Sequence, residues 1–96
     1  MTKNLSELIG KIISKQPKEV RDKRIPFYGN LYYRLKVLAE NEETHIFFVY
    51  SNLVNQTLWR AITNSHYADK RYLFRAEKKK NGFILHNWQE LKEENA

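Results

Sequence analysis

Residues 45–61, HIFFVYSNLVNQTLWRA, decide the fold of this chain. The first part of the stretch, residues 46–50, is apolar, aromatic and β-branched, which is typical of a buried strand. Ser51 and Asn52 follow at once, and either side chain can cap a helix by accepting a hydrogen bond from a free backbone N–H. Apolar residues then recur at helical spacing, at Val54, Leu58, Ala61 and Ile62. The stretch therefore predicts a core strand that passes directly into an amphipathic helix over about residues 52–63.

Two strands are predicted before this unit. Residues 31–38, LYYRLKVL, alternate, which places Tyr33, Leu35 and Val37 on one face of a strand. Residues 5–14 are predicted as the first strand, in which Gly10 marks a bulge or bend. The charged residues 15–26, bounded by prolines, are predicted as a loop whose cations, Lys18 among them, are either solvated or phosphate-facing. The acidic residues 39–44 are predicted as a hairpin connection.

Two more strands are predicted after the helix, over residues 71–77 and 83–88. The segment between them, KKKNG at 78–82, is predicted as a turn because Asn-Gly is a strong hairpin signal. Residues 89–96 are polar and acidic and are expected to form a frayed tail. Three strands, a helix and two strands are the order of a five-stranded OB barrel. The sequence thus predicts residues 1–96 as a single OB-fold domain, all-β apart from one helix.

Composition narrows the class of protein. The chain of 96 residues is 42% hydrophobic, enough for one compact core, and it contains no cysteine, which excludes disulfides and thiolate chemistry. Its three histidines lack metal-ligand spacing, so neither a metal nor another cofactor is expected. No apolar run approaches the roughly 18 residues of a membrane span, and the first residues do not resemble a signal peptide. We therefore expect a soluble intracellular protein without a membrane partner.

Motifs for catalysis are missing from the sequence. It contains neither a glycine-rich phosphate loop nor a nucleophile motif, and its carboxylates cluster in loops rather than around a recognisable cleft. The sequence therefore predicts a binding protein and not an enzyme, with no catalytic residues.

The net charge of +6 suggests a polyanionic partner, although a lysine-rich surface can also serve solubility alone. On the predicted second strand, Tyr32, Arg34 and Lys36 share the face opposite to the core. Cations neutralise phosphates and flat rings stack on unpaired bases, so this pattern is typical of single-strand binding. The alternative is an edge strand protected by charge, whose tyrosines cover apolar neighbours.

Further candidates for nucleic-acid contacts lie elsewhere in the chain. Phe47 and Phe48 point to opposite faces of their strand, so at least one should face the core. We take Phe48 as the candidate for nucleic-acid contact. Trp59 lies beside the apolar stripe of the helix, and packing is its favoured role. The remaining candidates are cationic or aromatic side chains of the last two strands and their hairpin, where lysines can also be merely solvated: Arg71, Arg75, Lys79 and Trp88.

Several segments resemble bacterial single-stranded-DNA-binding proteins. Residues 8–12, LIGKI, and 17–21, PKEVR, resemble the opening of that family, and residues 33–37 are similar to its second strand. Residues 44–53, THIFFVYSNL, look like its third strand and the following turn. The resemblance covers about residues 6–90 and implies an OB fold, a preference for single-stranded DNA over RNA, and a homodimer or tetramer.

The resemblance also nominates Tyr50, which matches a phenylalanine that stacks on DNA in the family. Thr44 stands where the family has tryptophan, Ser51 stands where it has glycine, and the loop over residues 78–82 is short. The acidic, partner-recruiting tail of the family is not matched either. These departures favour a reduced relative, similar to the primosomal replication protein or to small plastid and cyanobacterial single-strand-binding-like proteins. A cytoplasmic or plastid-stromal location and a role in DNA replication would follow from that resemblance.

Two alternative functions stay open at this point, and the less favoured is a small enzyme whose His–carboxylate pair forms only in three dimensions. The same barrel could serve mainly as a protein–protein interaction module of a replication or other assembly, with its aromatic residues forming a protein interface.

Overall fold

The computed structural model describes residues 5–19 and 31–92 of the chain. Within them it shows five strands and one helix, in the following order and with the following bounds: β1 (Ser6–Glu19), β2 (Leu31–Ala39), β3 (Thr44–Tyr50), α1 (Gln56–Thr63), β4 (Arg71–Lys79) and β5 (Gly82–Leu91). The predicted order of elements, with the helix between the third and fourth strands, is confirmed.

The five strands form a closed barrel in the order β1-β2-β3-β5-β4, and pairing of β4 with β1 closes it. Neighbouring strands are antiparallel except β3 and β5, which run parallel where Phe47 lies opposite Phe83 and Phe48 opposite Ile84. Closure removes the free sheet edges on which other chains could pair. This closed barrel with one helix after its third strand is the predicted OB-fold architecture.

Strand β1 bends so that it can pair with two neighbours. Gly10 lies at the change of partner, opposite Ala39 of β2 and Tyr72 of β4. A Cβ atom at this position would lie 2.5 Å from the carbonyl oxygen of Leu38, so only glycine fits without a shift of the backbone. A β-bulge follows between Ile12 and Ser14. The sequence-based expectation that Gly10 marks a bend is confirmed.

The core is formed by the inward-facing residues of all five strands and of the helix. The predicted inner face of β2 is correct, because Tyr33 is 8% exposed and Leu35 and Val37 are 0% exposed. Phe47 points inward and is fully buried, while Phe48 points outward, as alternation along β3 requires. The largest fully buried side chains are Phe47, Phe74, Leu35, Leu58, Ile62, Leu85, Val37 and Val49.

Helix α1 begins later than the sequence predicts. Asn55 is its N-cap and accepts a hydrogen bond of 2.8 Å on Oδ1 from the backbone N–H of Leu58. Residues 51–54 form a turn instead, in which Leu53 N–H donates to Tyr50 O at 3.0 Å. The prediction that Ser51 or Asn52 caps the helix is therefore wrong.

Further boundaries also differ from the predicted ones, and β4 extends to Lys79, two residues into the segment 78–82 that was predicted as a turn. Residues 15–19, predicted as part of a loop, continue β1 and pair with β2, so Pro17 lies opposite Tyr33. Strand β5 extends to Leu91, which places residues 89–91 in the barrel instead of a frayed tail. The rest of the predicted loop, from residue 20 onward, and residues 93–96 of the tail lie outside the described residues.

Lys15 connects β1 to the C-terminal end of α1. Its Nζ donates hydrogen bonds to the carbonyl oxygens of Ile62 (3.0 Å) and Thr63 (3.2 Å) and to Ser65 Oγ (3.0 Å). The same ammonium group lies 5.3 Å from the centre of the Tyr33 ring. A cation at this place adds hydrogen-bond donors to carbonyls at the end of the helix, and it complements the negative end of the helix dipole.

Candidate nucleic-acid interface

Three aromatic rings cluster on the outer face of β2 and β3. Antiparallel pairing places Tyr32 opposite Tyr50 and Arg34 opposite Phe48. The ring centres of Tyr32 and Tyr50 lie 5.1 Å apart with a tilt of 30°, and those of Tyr32 and Phe48 lie 6.4 Å apart. All three rings are partly exposed, because their neighbours along each strand occupy the core. The cluster therefore offers flat aromatic surface beside cationic side chains.

The cations next to this cluster are not used in ion pairs with described residues. Arg34 and Lys36 follow Tyr32 on the same face of β2, and no carboxylate in residues 5–19 or 31–92 pairs with either of them. Lys18 of β1 lies opposite Tyr32 in the register and is exposed. We call the surface formed by Tyr32, Arg34, Lys36, Phe48 and Tyr50 the β2–β3 face. It combines a positive charge with exposed rings.

The predicted cations of β4 are arranged differently. Strand β4 is separated from β2 by β1 on one side and from β3 by β5 on the other. Each of its three candidate cations has a carboxylate partner: Arg71 pairs with Glu40, Arg75 with Glu7 at 3.0 Å and Lys79 with Glu77 at 2.7 Å. The barrel therefore does not bring these side chains onto the β2–β3 face. Their role in nucleic-acid binding stays a prediction.

Trp88 also lies away from the β2–β3 face. It pairs in register with Phe74, and its indole stacks on the Tyr72 ring with centres 4.0 Å apart and an interplanar angle of 12°. The side chain is partly buried and packs against the core. Trp59 packs in a similar way, with its ring centre 5.0 Å from that of Tyr33, so the expected packing role of Trp59 is confirmed.

Burial affects the electrostatics of the ring cluster. Partial burial, and secondarily the neighbouring Tyr32, raise the pKa of Tyr50 above its ordinary value. The phenol of Tyr50 therefore stays neutral at physiological pH. A neutral ring is suited to stacking and adds no negative charge that would repel phosphate groups.

Sequence reasoning missed some members of this surface. Ile46 lies opposite Lys36, and Ile84 lies beside Phe48, so both extend the outer face with apolar surface. Lys18 was assigned to a loop because residues 15–26 are charged and contain prolines. Lys15 contacts the helix, but residues 16–18 are all exposed, so this segment carries no alternation from which the sequence could have identified a strand.

The described residues contain no group of three or more His, Asp or Glu side chains that could hold a metal ion. Within the same residues, none of the helical structure is long and apolar enough to cross a membrane. Comparison of the chain with known protein families and with curated proteins found no match in either.

Proposed function

We propose that the β2–β3 face binds single-stranded nucleic acid, with DNA preferred over RNA. The observation that carries this proposal is the grouping of Tyr32, Tyr50 and Phe48 beside Arg34 and Lys36, two cations without a carboxylate partner in the described part of the chain. Bases stack on such rings, while the cations neutralise phosphates along the strand. The face formed by strands 2 and 3 is also the surface on which OB folds bind oligonucleotides.

The preference for DNA and a role in replication come from the resemblance of residues 8–12 and 44–53 to bacterial single-stranded-DNA-binding proteins. The binding itself needs no base-edge readout, because rings and cations accept any sequence. We therefore expect tolerance of base sequence and a strong dependence of affinity on salt.

Binding of a fluorescent oligo-dT by the full chain at two salt concentrations tests the proposal. Tyr50→Ala should cost on the order of 1–3 kcal/mol of binding free energy if one base stacks there, and should leave the salt dependence unchanged. Arg34→Ala should weaken binding to all sequences and reduce the log–log salt slope by about 0.7 for each lost phosphate contact. The two variants thus separate stacking from charge.

Arg75→Ala is the matched control, because it removes the same charge from an arginine that pairs with Glu7. We expect a smaller loss than for Arg34→Ala. Wild-type affinity in folded Tyr50→Ala and Arg34→Ala variants would exclude this face as the binding site.

A protein-docking function is the alternative that the same surface supports. Tyrosine and arginine are enriched in protein interfaces, and the β2–β3 face contains both. The absence of oligo-dT binding at low salt would favour this alternative, whereas salt-sensitive binding would favour the nucleic-acid function.

We also propose that the protein forms a homo-oligomer, as the resemblance implies, with a dimer as the simplest case. Light scattering at micromolar concentration should then give about twice the chain mass of 11.6 kDa. In the described residues only two large apolar side chains, Ile13 and Leu53, are strongly exposed, so the proposal rests on the resemblance and not on an apolar patch. A single-chain mass that does not change with concentration would contradict it.

A further inference from the structure

A cleft of about 480 Å³ lies between α1 and the ends of β4 and β5, away from the β2–β3 face. It is open to solvent and lined by both aromatic and charged side chains. The members that matter for its chemistry are Arg60, His66, Lys70, Tyr72, Trp88 and Glu90.

The aromatic part of the cleft is held in place by the core. Tyr72 is only 2% exposed, and Trp88 stacks on it at 4.0 Å between ring centres. The Trp88 ring also contacts Phe74, with ring centres 6.2 Å apart. Because Tyr72 covers one face of the indole, a flat ligand in the cleft would contact its remaining face or edge. Such a pre-positioned ring loses little freedom when a ligand stacks on it.

The charges of the cleft favour an anion. Arg60 is exposed and has no carboxylate partner in the described ranges, whereas Lys70 and Glu90 pair at 3.3 Å. Arg60 and Lys70 outweigh the single carboxylate of Glu90 among the charged side chains that line the cleft. Guanidinium and ammonium groups are the usual partners of phosphate in proteins.

The nearby C-terminus of α1 does not oppose an anion through unpaired carbonyls. Asn64 N–H donates to Arg60 O, His66 N–H to Ala61 O and Ser65 N–H to Ile62 O. Lys15 supplies donors to the last two carbonyls of the helix. Ser65 has a positive φ of 58°, which closes a Schellman motif and places His66 at the cleft.

We propose that this cleft binds a nucleotide, with its base against Trp88 and its phosphate near Arg60 and Lys70. The nucleotide is either a free nucleoside monophosphate or one residue of a strand held on the β2–β3 face. In the second case only, the inference rests on the proposed function. Both sources present the same chemistry, a flat ring joined to a phosphate.

Fluorescence of Trp88 reports on this cleft directly. The chain contains two tryptophans, so Trp59→Phe leaves Trp88 as the only one. In this protein, adenosine monophosphate should quench the emission in a saturable way, and adenosine, which lacks the phosphate, should bind about tenfold more weakly. Absence of saturable quenching by both adenosine monophosphate and oligo-dT would overturn the proposal.

Substitutions of exposed residues separate specific binding from general charge effects without disturbing the core. Arg60→Ala and Lys70→Ala should each weaken binding of adenosine monophosphate by about threefold to tenfold, and Glu90→Gln should strengthen it by a similar factor. Lys78→Ala is the matched control, because it removes a lysine from the other end of β4 and should leave affinity unchanged. An equal loss in Lys78→Ala, or no gain in Glu90→Gln, would contradict a site in this cleft.

Oligo-dT distinguishes a free nucleoside monophosphate from one residue of a bound strand as the ligand of the cleft. If the cleft takes one residue of a bound strand, oligo-dT quenches Trp88, and Arg34→Ala weakens this quenching but not that by adenosine monophosphate. If it takes a free nucleotide, saturating oligo-dT leaves the response to adenosine monophosphate unchanged. Failure of oligo-dT to bind anywhere would remove the proposed function and leave the nucleotide result standing.

Discussion

The Lys15 ammonium group stabilises the barrel by joining its first strand to the end of its helix. Three oxygen acceptors surround it, two of them helix carbonyls. Lys15→Met keeps the length of the side chain but removes the charge and the donors. We expect a loss of about 1–2 kcal/mol in the free energy of unfolding, since hydrogen bonds from charged donors are among the stronger ones. Urea denaturation measures it.

Lys18→Met is the control for this change. Lys18 lies on the same strand but is exposed, and none of the ion pairs or side-chain hydrogen bonds among the described residues includes it. Its substitution should change stability by less than about 0.5 kcal/mol. Equal effects of the two substitutions would show that the contacts of Lys15 do not stabilise the fold.

Tyr72 should make stability depend on alkaline pH. Burial, and secondarily the Glu90 carboxylate, raise the pKa of Tyr72 to about 12 from an ordinary value of 10.0. Since the pKa is higher in the folded state, the stabilising contribution is complete below pH 10 and is lost as pH rises from about 10 through about 12. Tyr72→Phe removes the phenol that would lose its proton in this pH range. Its unfolding free energy should therefore fall less than that of the parent between about pH 9 and about pH 11.5.

The same comparison can contradict this assignment. Other tyrosines and lysines titrate in both proteins, so only the difference between parent and variant reports on Tyr72. An identical fall in the unfolding free energy of the two proteins would show that Tyr72 ionises as readily in the folded state as in the unfolded one.

At the scale of elements, the β4–β5 hairpin depends on a close approach to β3. A Cβ on Gly82 would lie 2.6 Å from the Ile46 carbonyl oxygen and 3.2 Å from the Phe48 ring, and its φ is +149°. Gly82→Ala should therefore destabilise the protein by roughly 1–3 kcal/mol, because the backbone must move to make room. Thermal or urea unfolding measures the loss.

Asn81→Ala is the matched control in the same turn, because Asn81 is exposed and has no positive φ. It should leave stability nearly unchanged. A Gly82→Ala variant as stable as the control would show that β3 and the hairpin can separate at no cost.

The elements were predictable where side-chain alternation or helical spacing was strong. Residues 31–38 show such alternation, and their inner face is the one expected. The start of α1 was not predictable, because Ser51, Asn52 and Asn55 are all good capping residues. In the structure, a turn closed by the hydrogen bond from Leu53 N–H to Tyr50 O occupies residues 51–54, which leaves Asn55 as the N-cap. Residues 15–19 were missed because charge and Pro17 are typical of a loop, yet pairing with β2 makes them strand.

The candidate site was predictable only within one strand and its partner. Parity placed Tyr32, Arg34 and Lys36 on one face, and the register of β3 adds Phe48 and Tyr50 to it. Side-chain alternation within a strand does not show which strands are neighbours in a closed barrel. The arginines of β4 and Trp88 were therefore grouped with residues of β2 and β3, although β1 and β5 lie between β4 and those strands. Their ion pairs and the stack on Tyr72 depend on the barrel order, which a single sequence does not show.

For the whole molecule, we propose that one side of the barrel carries the nucleic-acid site. The outer face of β2 and β3 combines rings with cations that have no carboxylate partner among the described residues, whereas the candidate cations of β4 pair with carboxylates. The overall net charge of +6 gives long-range attraction of any polyanion but does not by itself select a face. Location, rather than binding alone, is therefore the decisive property to measure.

Titration of the ¹⁵N-labelled full chain with oligo-dT, followed by ¹H–¹⁵N correlation spectra, measures that location most directly. We expect the largest chemical-shift changes on residues 32–36 and 46–50, with small changes at Arg71 and Arg75. Changes concentrated on β4 and its hairpin, or no changes at any oligonucleotide concentration at low salt, would contradict it.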